Sequence, residues 1–498
     1  MKLRSLGVLC LKLLLAAQCW AQQPAPQETC PHPPGWKPTD RELQRILSDH
    51  RQWLAKIGWA RYFDERLGEL GANLCGADLR STDLSNAELS RANLKGADLS
   101  FANLDKAKLQ YADLNGAHLY ETNLRNANLT FAKLNRADMS WANLDGASLS
   151  RAELNKANIV LGRLNHADLN GASLNEANLK NARLNEADLS YAELNKSNLV
   201  GTELNKTSLK GAKLSNADLT FAKLNNADLS DAELYNVNLS NAELNGAFLT
   251  GTSVAGAKLA SVNLTNATYA PGPAPPSDVA EIRGLTTVMF PAGGETGLVQ
   301  LRDLLQKSGL RDLEREATFA IENGKTRNSL RDWKDNPTAA AEGMFRYLAF
   351  DLTTAYGLRP GRALLLIVAL WALLIPLYAW PIWQSKRPPT ASRIYRILPQ
   401  NRVEVRDDQP TLDNPARVER LHGRGFGLLG WSAYFSLLST FQIGFREFSV
   451  GTWLTRAQPR SFALESTGWV RTVSGLQSLL SVYLLAMWVL TYFGRPFQ

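Results

Sequence analysis

The sequence predicts a mainly β protein in which a long coiled rod precedes a small helical module and a set of membrane-spanning helices. An apolar residue recurs at every fifth position from Leu74 to Leu264. Helical apolar spacing follows, and two runs near the C-terminus each have 21 residues without a charge, enough to cross a bilayer. At roughly 100 to 200 residues per domain, 498 residues suffice for several such units.

Residues 1–21 have the layout of a secretory signal peptide. They contain the basic residues Lys2 and Arg4, an apolar run from Leu6 to Leu15 and the small residue Ala21 at the end. An uncleaved hydrophobic N-terminus is the alternative. A cleaved signal would place the following segment outside the cytoplasm.

Residues 22–71 are interpreted as an N-terminal arm with a capping helix that begins at Asp40, because a stack of repeats needs capped ends. The arm contains Cys30, and the first repeat contains Cys75. In an oxidising compartment these cysteines can form a disulfide that ties the arm to the repeats. Two buried free thiols are the alternative.

Residues 72–268 carry the five-residue repeat. Of its 39 central positions 36 are leucine, and the position two residues earlier is alanine in 30 of the 39 units. A period of five fits neither an α-helix nor a flat strand. It fits a coil that turns a corner in each unit, buries Leu and Ala along a narrow axis and exposes the other three positions.

The A-(D/N)-L-x-x unit, plain in Ala97-Asp98-Leu99-Ser100-Phe101, resembles the pentapeptide-repeat family over about 195 residues. The resemblance implies a right-handed quadrilateral β-helix with four repeats per coil. The 39 repeats would then form nearly ten coils and a rod roughly 47 Å long.

Charge argues against nucleic acid as a partner of the rod. Residues 72–267 contain 12 Asp and 9 Glu against 12 Lys and 7 Arg, a net charge of −2. The DNA mimicry of some pentapeptide proteins needs a strongly acidic surface, and a nucleic-acid groove needs a basic one. The outward positions show no evident aromatic or charged patch, so the protein partner expected on the rod stays unidentified.

Two further segments precede the membrane part. The Pro-rich residues 269–277 predict a stiff extended linker. Residues 278–360 predict a small helical module, with helices over Leu298 to Leu310, Leu313 to Ile321 and from Asp332 to Phe350.

Residues 361–498 predict a transmembrane domain. Ala363 to Trp383 and Val473 to Phe493 are each long and apolar enough to span. Between them, Phe426 to Phe445 forms a third apolar stretch. Its length permits either a third span or a helix that enters partway and returns.

This order of segments resembles the two-helix pore domain of potassium-channel-like proteins. Tyr434 to Ser439 is similar to a pore helix, and the last helix, with Gln477 and Ser481, resembles an inner helix. The resemblance implies a homotetramer. The filter-like residues are Phe441, Gln442, Ile443, Gly444, Phe445, Arg446 and Glu447.

The filter-like segment departs from a potassium filter, whose alternating backbone needs glycine twice. Gly444 occupies the first of these positions, but Arg446 occupies the second. Four Arg446 side chains around an axis would repel cations unless each paired with Glu447. We therefore expect a weakly selective or degenerate cation pore, or a pore fold that does not conduct.

Basic residues indicate the orientation of the membrane domain. Residues 343–362, before the first predicted span, contain three basic residues, whereas residues 384–403, after it, contain five. The excess of positive charge places residues 384–403 in the cytoplasm. The β-helix would then lie on the periplasmic or outer side of a bacterial-type inner membrane. The usual pore domain has the opposite orientation. A third full span at Phe426 to Phe445 would relieve the conflict and place the C-terminus in the cytoplasm.

The sequence does not favour an enzyme. It contains no P-loop, nucleophile elbow or H-E-x-x-H motif, and its five histidines are scattered, so neither a metal site nor a cofactor is expected. The net charge of +8 comes from outside the rod and suits anionic lipid headgroups. Two functions remain: a channel-like membrane protein with an exported sensing or docking rod, and a non-conducting membrane-anchored scaffold for protein–protein interaction.

Overall fold

The fold is described from a computed structural model, which covers residues 30–62, 71–272, 274–331, 333–383, 394–398, 417–420, 426–441, 463–466 and 469–493. The chain forms two compact units, Met1–Phe290 and Pro291–Gln498. The predicted signal peptide and the filter-like residues Gln442 to Glu447 lie outside the described residues.

The first unit is a four-sided parallel β-helix with twenty residues per coil. Asn73 bridges Asn93, which in turn bridges Asp113, and this step of twenty continues along the repeat. The N–H of Leu74 donates to the carbonyl of Asn93 at 2.8 Å. Each side pairs mostly through one residue between two turns. Within residues 71–272 and 274–290, only β1 (Phe248–Thr250) and β2 (Thr268–Ala270) form longer strands, which are parallel.

The interior of the β-helix holds the residues that the repeat predicts. Every central residue from Leu74 to Leu264 is at most 2% exposed. Some units have threonine in place of the small alanine, and the hydroxyl groups of such threonines donate hydrogen bonds to backbone carbonyls inside the coil. Thr122 Oγ1 donates to the carbonyl of Leu99 at 2.7 Å, and Thr207 Oγ1 donates to the carbonyl of Leu184 at 2.7 Å.

The β-helix extends beyond its predicted end, and the linker prediction for residues 269–277 is wrong. Tyr269 is 1% exposed, Gly272 N–H donates to the carbonyl of Thr252, and Ser277 N–H donates to that of Ala257. Bridges then continue to Met289. Proline lacks only its own N–H, so this stretch still pairs with the preceding coil through its other residues.

The N-terminal cap is confirmed in its position as helix α1 (Asp40–Tyr62). Thr39 and Glu42 form a capping box, in which Thr39 N–H donates to Glu42 Oε2 at 2.8 Å. His50 is 2% exposed, and its Nδ1 accepts a hydrogen bond from the N–H of Ala72 at 2.9 Å. The cap therefore satisfies a backbone donor at the open edge of the first coil.

We expect the cap to loosen in mild acid. Burial, as the largest cause, lowers the pKa of His50 below its ordinary 6.5, despite the opposing effects of Ser90 and of the Glu88 carboxylate. The stability from the neutral ring is therefore complete above pH 6.5 and is lost as the pH falls through the lower folded pKa. Protease cleavage within α1 should rise between pH 7 and pH 5 and should stay flat in His50→Gln. An equal rise in both proteins would contradict the assignment.

The second unit begins with a helical module. It contains α2 (Thr296–Lys307), α3 (Arg311–Arg331) and α4 (Pro337–Arg346). The third helix begins later than Asp332 because Asn336 caps it, with Oδ1 accepting from the N–H of Ala339 at 3.1 Å. A π-helical segment (Tyr347–Asp351) continues α4 towards the membrane part.

The rest of the second unit is a three-helix bundle of α5 (Gly361–Trp383), α6 (Phe426–Phe441) and α7 (Trp469–Phe493). Among the described residues, only α5 and α7 are long and apolar enough to cross a membrane. Helix α6 has 16 residues, about 24 Å, which is shorter than the hydrocarbon core. It packs between the other two helices, where Phe435 joins Tyr378 and Val470 in one buried cluster.

A small antiparallel sheet closes one end of the bundle. Its strands are β3 (Ile394–Leu398), β4 (Arg417–Arg420) and β5 (Ala463–Ser466), in the order β4-β3-β5. Ile394 is 3% exposed and belongs to the cluster around Tyr378. The sheet thus brings together the chain after α5, before α6 and before α7.

Candidate functional sites in the bundle and on the β-helix

A buried polar network joins the three helices of the bundle. Gln477 on α7 is 2% exposed, and its Oε1 accepts from the hydroxyl of Tyr378 on α5 at 2.7 Å. Its Nε2 donates to the carbonyl of Ser436 at 3.0 Å and to Thr440 Oγ1 at 2.7 Å, both on α6. One amide side chain therefore bonds to both neighbouring helices.

Further bonds fix α6 against α5. Ser436 Oγ donates to the carbonyl of Trp371 at 2.9 Å, and the Trp371 indole donates to the carbonyl of Ala433 at 3.0 Å. Ser481 is 3% exposed and donates to the carbonyl of Gln477 at 2.8 Å. In lipid such interhelical bonds replace the water that a polar group would otherwise require.

The predicted inner-helix residues are brought together by the structure, but they point into the protomer. Gln477 and Ser481 bond within it, whereas the outward face of α7 is apolar, with Leu476 62% and Leu479 70% exposed. Phe441 is the last residue of α6. The sequence order alone did not separate these inward and outward faces.

The network yields a prediction for Gln477→Ala. Four direct bonds are lost, and Tyr378, Ser436 and Thr440 lose a buried partner. At about 0.6 kcal/mol per bond in a membrane helix bundle, we expect a loss of about 2 kcal/mol, measurable by unfolding in mixed micelles. Leu479→Ala, on the exposed outward side of the same helix, is the control. Equal losses in the two variants would show that the network does not stabilise the bundle.

The β-helix has four edges, and one pair of opposite edges carries different side chains from the other pair. Asparagine side chains form ladders along two opposite edges, as where Asn135 N–H donates to Asn115 Oδ1 at 3.0 Å and Asn185 Nδ2 donates to Asn165 Oδ1 at 3.1 Å. Most of the exposed large aromatic side chains of the coils lie on the other two edges.

One of these edges, here called the aromatic edge, consists of Phe101, Trp141 and Phe221. They are 53%, 53% and 60% exposed, and their positions differ by multiples of twenty, so they line up along the coil axis. On the opposite edge Tyr111 and Phe131 stack on each other with ring centroids 5.0 Å apart. No aromatic patch was expected from the sequence, because residues twenty apart must first be brought together by the coil.

The backbone makes these aromatic side chains unusual. Phe101, Trp141 and Phe221 have φ near +60°, the left-handed region in which Gly and Asn are favoured and bulky residues cost roughly 1 kcal/mol. Asn and Gly fill the equivalent corner at Asn126 and Gly146. Corner geometry therefore does not explain the exposed aromatic residues.

The comparisons with known proteins concern the repeat. The profile of the family described as pentapeptide repeats matches eight copies within residues 71–268. No curated protein matches the chain.

Similar solved structures include HetL, a pentapeptide repeat protein involved in heterocyst differentiation regulation from the cyanobacterium Nostoc sp. strain PCC 7120. It is 33% identical, the match covers 43% of this chain and 91% of HetL, and the TM-score is 0.28. QnrB1, a plasmid-mediated fluoroquinolone resistance protein, is 13% identical over 41% of this chain and 94% of its own, with a TM-score of 0.24. Because the family profile matches the same residues that coil with a period of twenty, this chain is a pentapeptide-repeat protein.

Proposed function

We propose that this protein is membrane-anchored, that its bundle is a channel-like domain with one re-entrant helix, and that its β-helix is a rod for protein binding. The observation that carries the proposal is the short helix α6, which has 16 residues and is held between two helices of spanning length by the Gln477 network. The aromatic edge supports protein binding, because exposed aromatic residues are enriched where protein surfaces meet.

The sheet supports the re-entrant path of α6. The chain leaves β4 at Arg420, passes through α6 and returns to β5 at Ala463. Because Arg420 of β4 pairs with Tyr395 and Ala463 of β5 pairs with Ile397, these two strand ends lie about 12 Å apart. The two ends of the segment 421–462 therefore lie near each other, which supports a re-entrant helix over a third full span.

This path supports the pore interpretation of the filter-like residues. Phe441 ends α6 and Gln442 to Glu447 follow it directly along the chain, so in a channel-like domain the filter would begin where this short helix ends. Arg446 in place of the second glycine favours weak cation selectivity. A tetramer would be needed to surround an axis with this segment.

A non-conducting scaffold is the second candidate function. The described part of α7 has an apolar outward face, and its polar residues Gln477 and Ser481 form bonds inside the protomer. A bundle of this kind anchors the rod without any need for a water-filled axis.

If the chain crosses the membrane twice, the side on which each of its segments lies can be predicted. The cysteine pairing and the predicted signal peptide favour export of the β-helix, and the Arg-rich residues after α5 favour the cytoplasm. The C-terminus would then share the exported side, and α6 would enter from the cytoplasmic side of a bacterial-type inner membrane. Alkaline phosphatase fused after Gln498 should be active, whereas activity of a fusion after Trp383 instead would reverse the assignment.

Ion flux into liposomes tests conduction. We would compare the wild-type protein, Arg446→Gly and a truncation after Trp383. Flux that disappears on truncation and changes selectivity in Arg446→Gly would support a pore. Silence in the wild type with flux in Arg446→Gly would indicate a pore closed by that charge, and silence in all three would leave the scaffold.

A further inference from the structure

A stripe of exposed apolar side chains runs along α4, the π-helical segment and the start of the short helix Leu352–Thr354 that follows them. Met344, Phe345, Tyr347, Leu348 and Leu352 are 50%, 65%, 41%, 52% and 46% exposed. Residues 344, 348 and 352 recur at the i, i+4 spacing of one helical face. A soluble surface rarely exposes such a contiguous stripe.

The stripe points away from the helical module. Gly343 lies on the opposite face of α4 and contacts α3 so closely that an added Cβ would lie 2.9 Å from Ser329 Cβ. Arg346 pairs with Glu322 on α3 at 3.7 Å and with Glu342 at 2.6 Å. The packed and paired face of α4 is thus turned to the module, and the apolar side chains of the stripe keep 41% to 65% of their surface exposed, although the Phe345 ring packs edge-on against Phe350.

The contact between the stripe and α7 shows at which level along α7 the stripe lies. The hydroxyl of Tyr483 donates to the carbonyl of Ala349, in the middle of the stripe, and Leu484 packs against Ala363 at the start of α5. Helix α7 continues from Tyr483 to Phe493, about 15 Å further. That end carries exposed apolar side chains of its own, Val489 and Leu490. The stripe therefore lies beside the apolar surface of α7 and not beyond the end of that helix.

We propose that α4 and the π-helical segment form an interfacial segment whose apolar stripe inserts into the lipid at the headgroup boundary. The inference rests on the membrane anchoring proposed above. Lipid is favoured over a second copy of the chain because the stripe is continuous with the exposed apolar surface of α7. A short connection from Leu352 to Gly361 then leads directly into α5. Tyr347 within the stripe and the exposed Arg359 after it suit an interface with anionic headgroups.

Photo-crosslinking tests this proposal in the full chain. The photoreactive residue p-benzoylphenylalanine would replace Phe345 or Leu348, with the protein in vesicles of phosphatidylcholine and phosphatidylglycerol. Leu365, 70% exposed on α5, is the positive control, and Asp312, whose side chain is 96% exposed on α3, is the negative control. We expect lipid adducts at positions 345 and 348 at a yield close to that of position 365 and about tenfold above that of position 312.

Each outcome decides the matter. Chain-to-chain adducts at 345 and 348 would show that a second copy covers the stripe, and would overturn the proposal. Absence of lipid adducts there, with adducts at 365, would overturn it while leaving the membrane anchor intact. Absence at 365 as well would overturn the anchoring itself.

Discussion

Leu169→Asp is expected to destabilise the β-helix by at least about 5 kcal/mol, because it removes a core side chain and buries a carboxyl group in the same place. Leu169 is 0% exposed and lies on the axis between Leu149 and Leu189, one coil away on each side. Each coil is stabilised only by its neighbours, so one faulty coil separates the stack into two shorter ones. The axis offers no polar partner for the carboxylate at this level other than backbone already paired in the ladder.

Thermal unfolding followed by far-ultraviolet circular dichroism measures this effect. Leu169→Met keeps the volume and apolar character of the side chain and should cost less than about 1.5 kcal/mol. Lys180→Ala, at an exposed outward position, should stay within about 0.5 kcal/mol of the wild type. If Leu169→Asp melted with the wild type, the assignment of the central leucine to the axis would be wrong.

The Cys30→Ser variant is expected to open the N-terminal cap. In the structure Cys30 and Cys75 form a disulfide across a sequence separation of 45 residues. A loop of that length corresponds to about 4 kcal/mol of lost chain entropy in the unfolded state. Without the bond, α1 should detach first and leave the edge of the first coil unpaired.

Trypsin cleavage within α1, at Arg41 and Arg45, reports this opening. Cleavage should be faster by at least about tenfold in Cys30→Ser than in the wild type, and a reductant should give the wild type the same rate. Adding reductant to Cys30→Ser should change nothing further. A wild-type protein whose mass shows two free thiols before reduction would refute the pairing.

The β-helix could be predicted almost entirely from the sequence because its interactions repeat. A Leu and a small residue every five positions define the inside of each side, and four sides close a coil, as the step of twenty from Asn73 to Asn93 shows. Threonine in place of alanine did not obstruct the prediction, since Thr122 satisfies its hydroxyl within the coil. The prediction failed at residues 269–277, where the last coil loses the repeat pattern but keeps its backbone pairing.

The bundle could be predicted only in part. Length and hydropathy were enough for α5 and α7, since spanning a membrane depends on a local property of the chain. They were not enough for α6, because a short apolar helix has the same composition whether it spans or returns. The pairing of β3 with both β4 and β5 brings the chain before α6 close to the chain before α7, and strands so far apart in sequence show no local sign of it.

The sequence by itself determined the family, the four-sided coil, its buried residues and the two helices of spanning length, because each depends on a short-range pattern. Only the tertiary structure decided which faces the remaining residues occupy. Phe101, Trp141 and Phe221 form one edge because the coil stacks residues twenty apart. Gln477 points into the bundle because Tyr378 and Thr440 converge on it from two other helices. These contacts join residues distant along the chain, and folding alone brings them together.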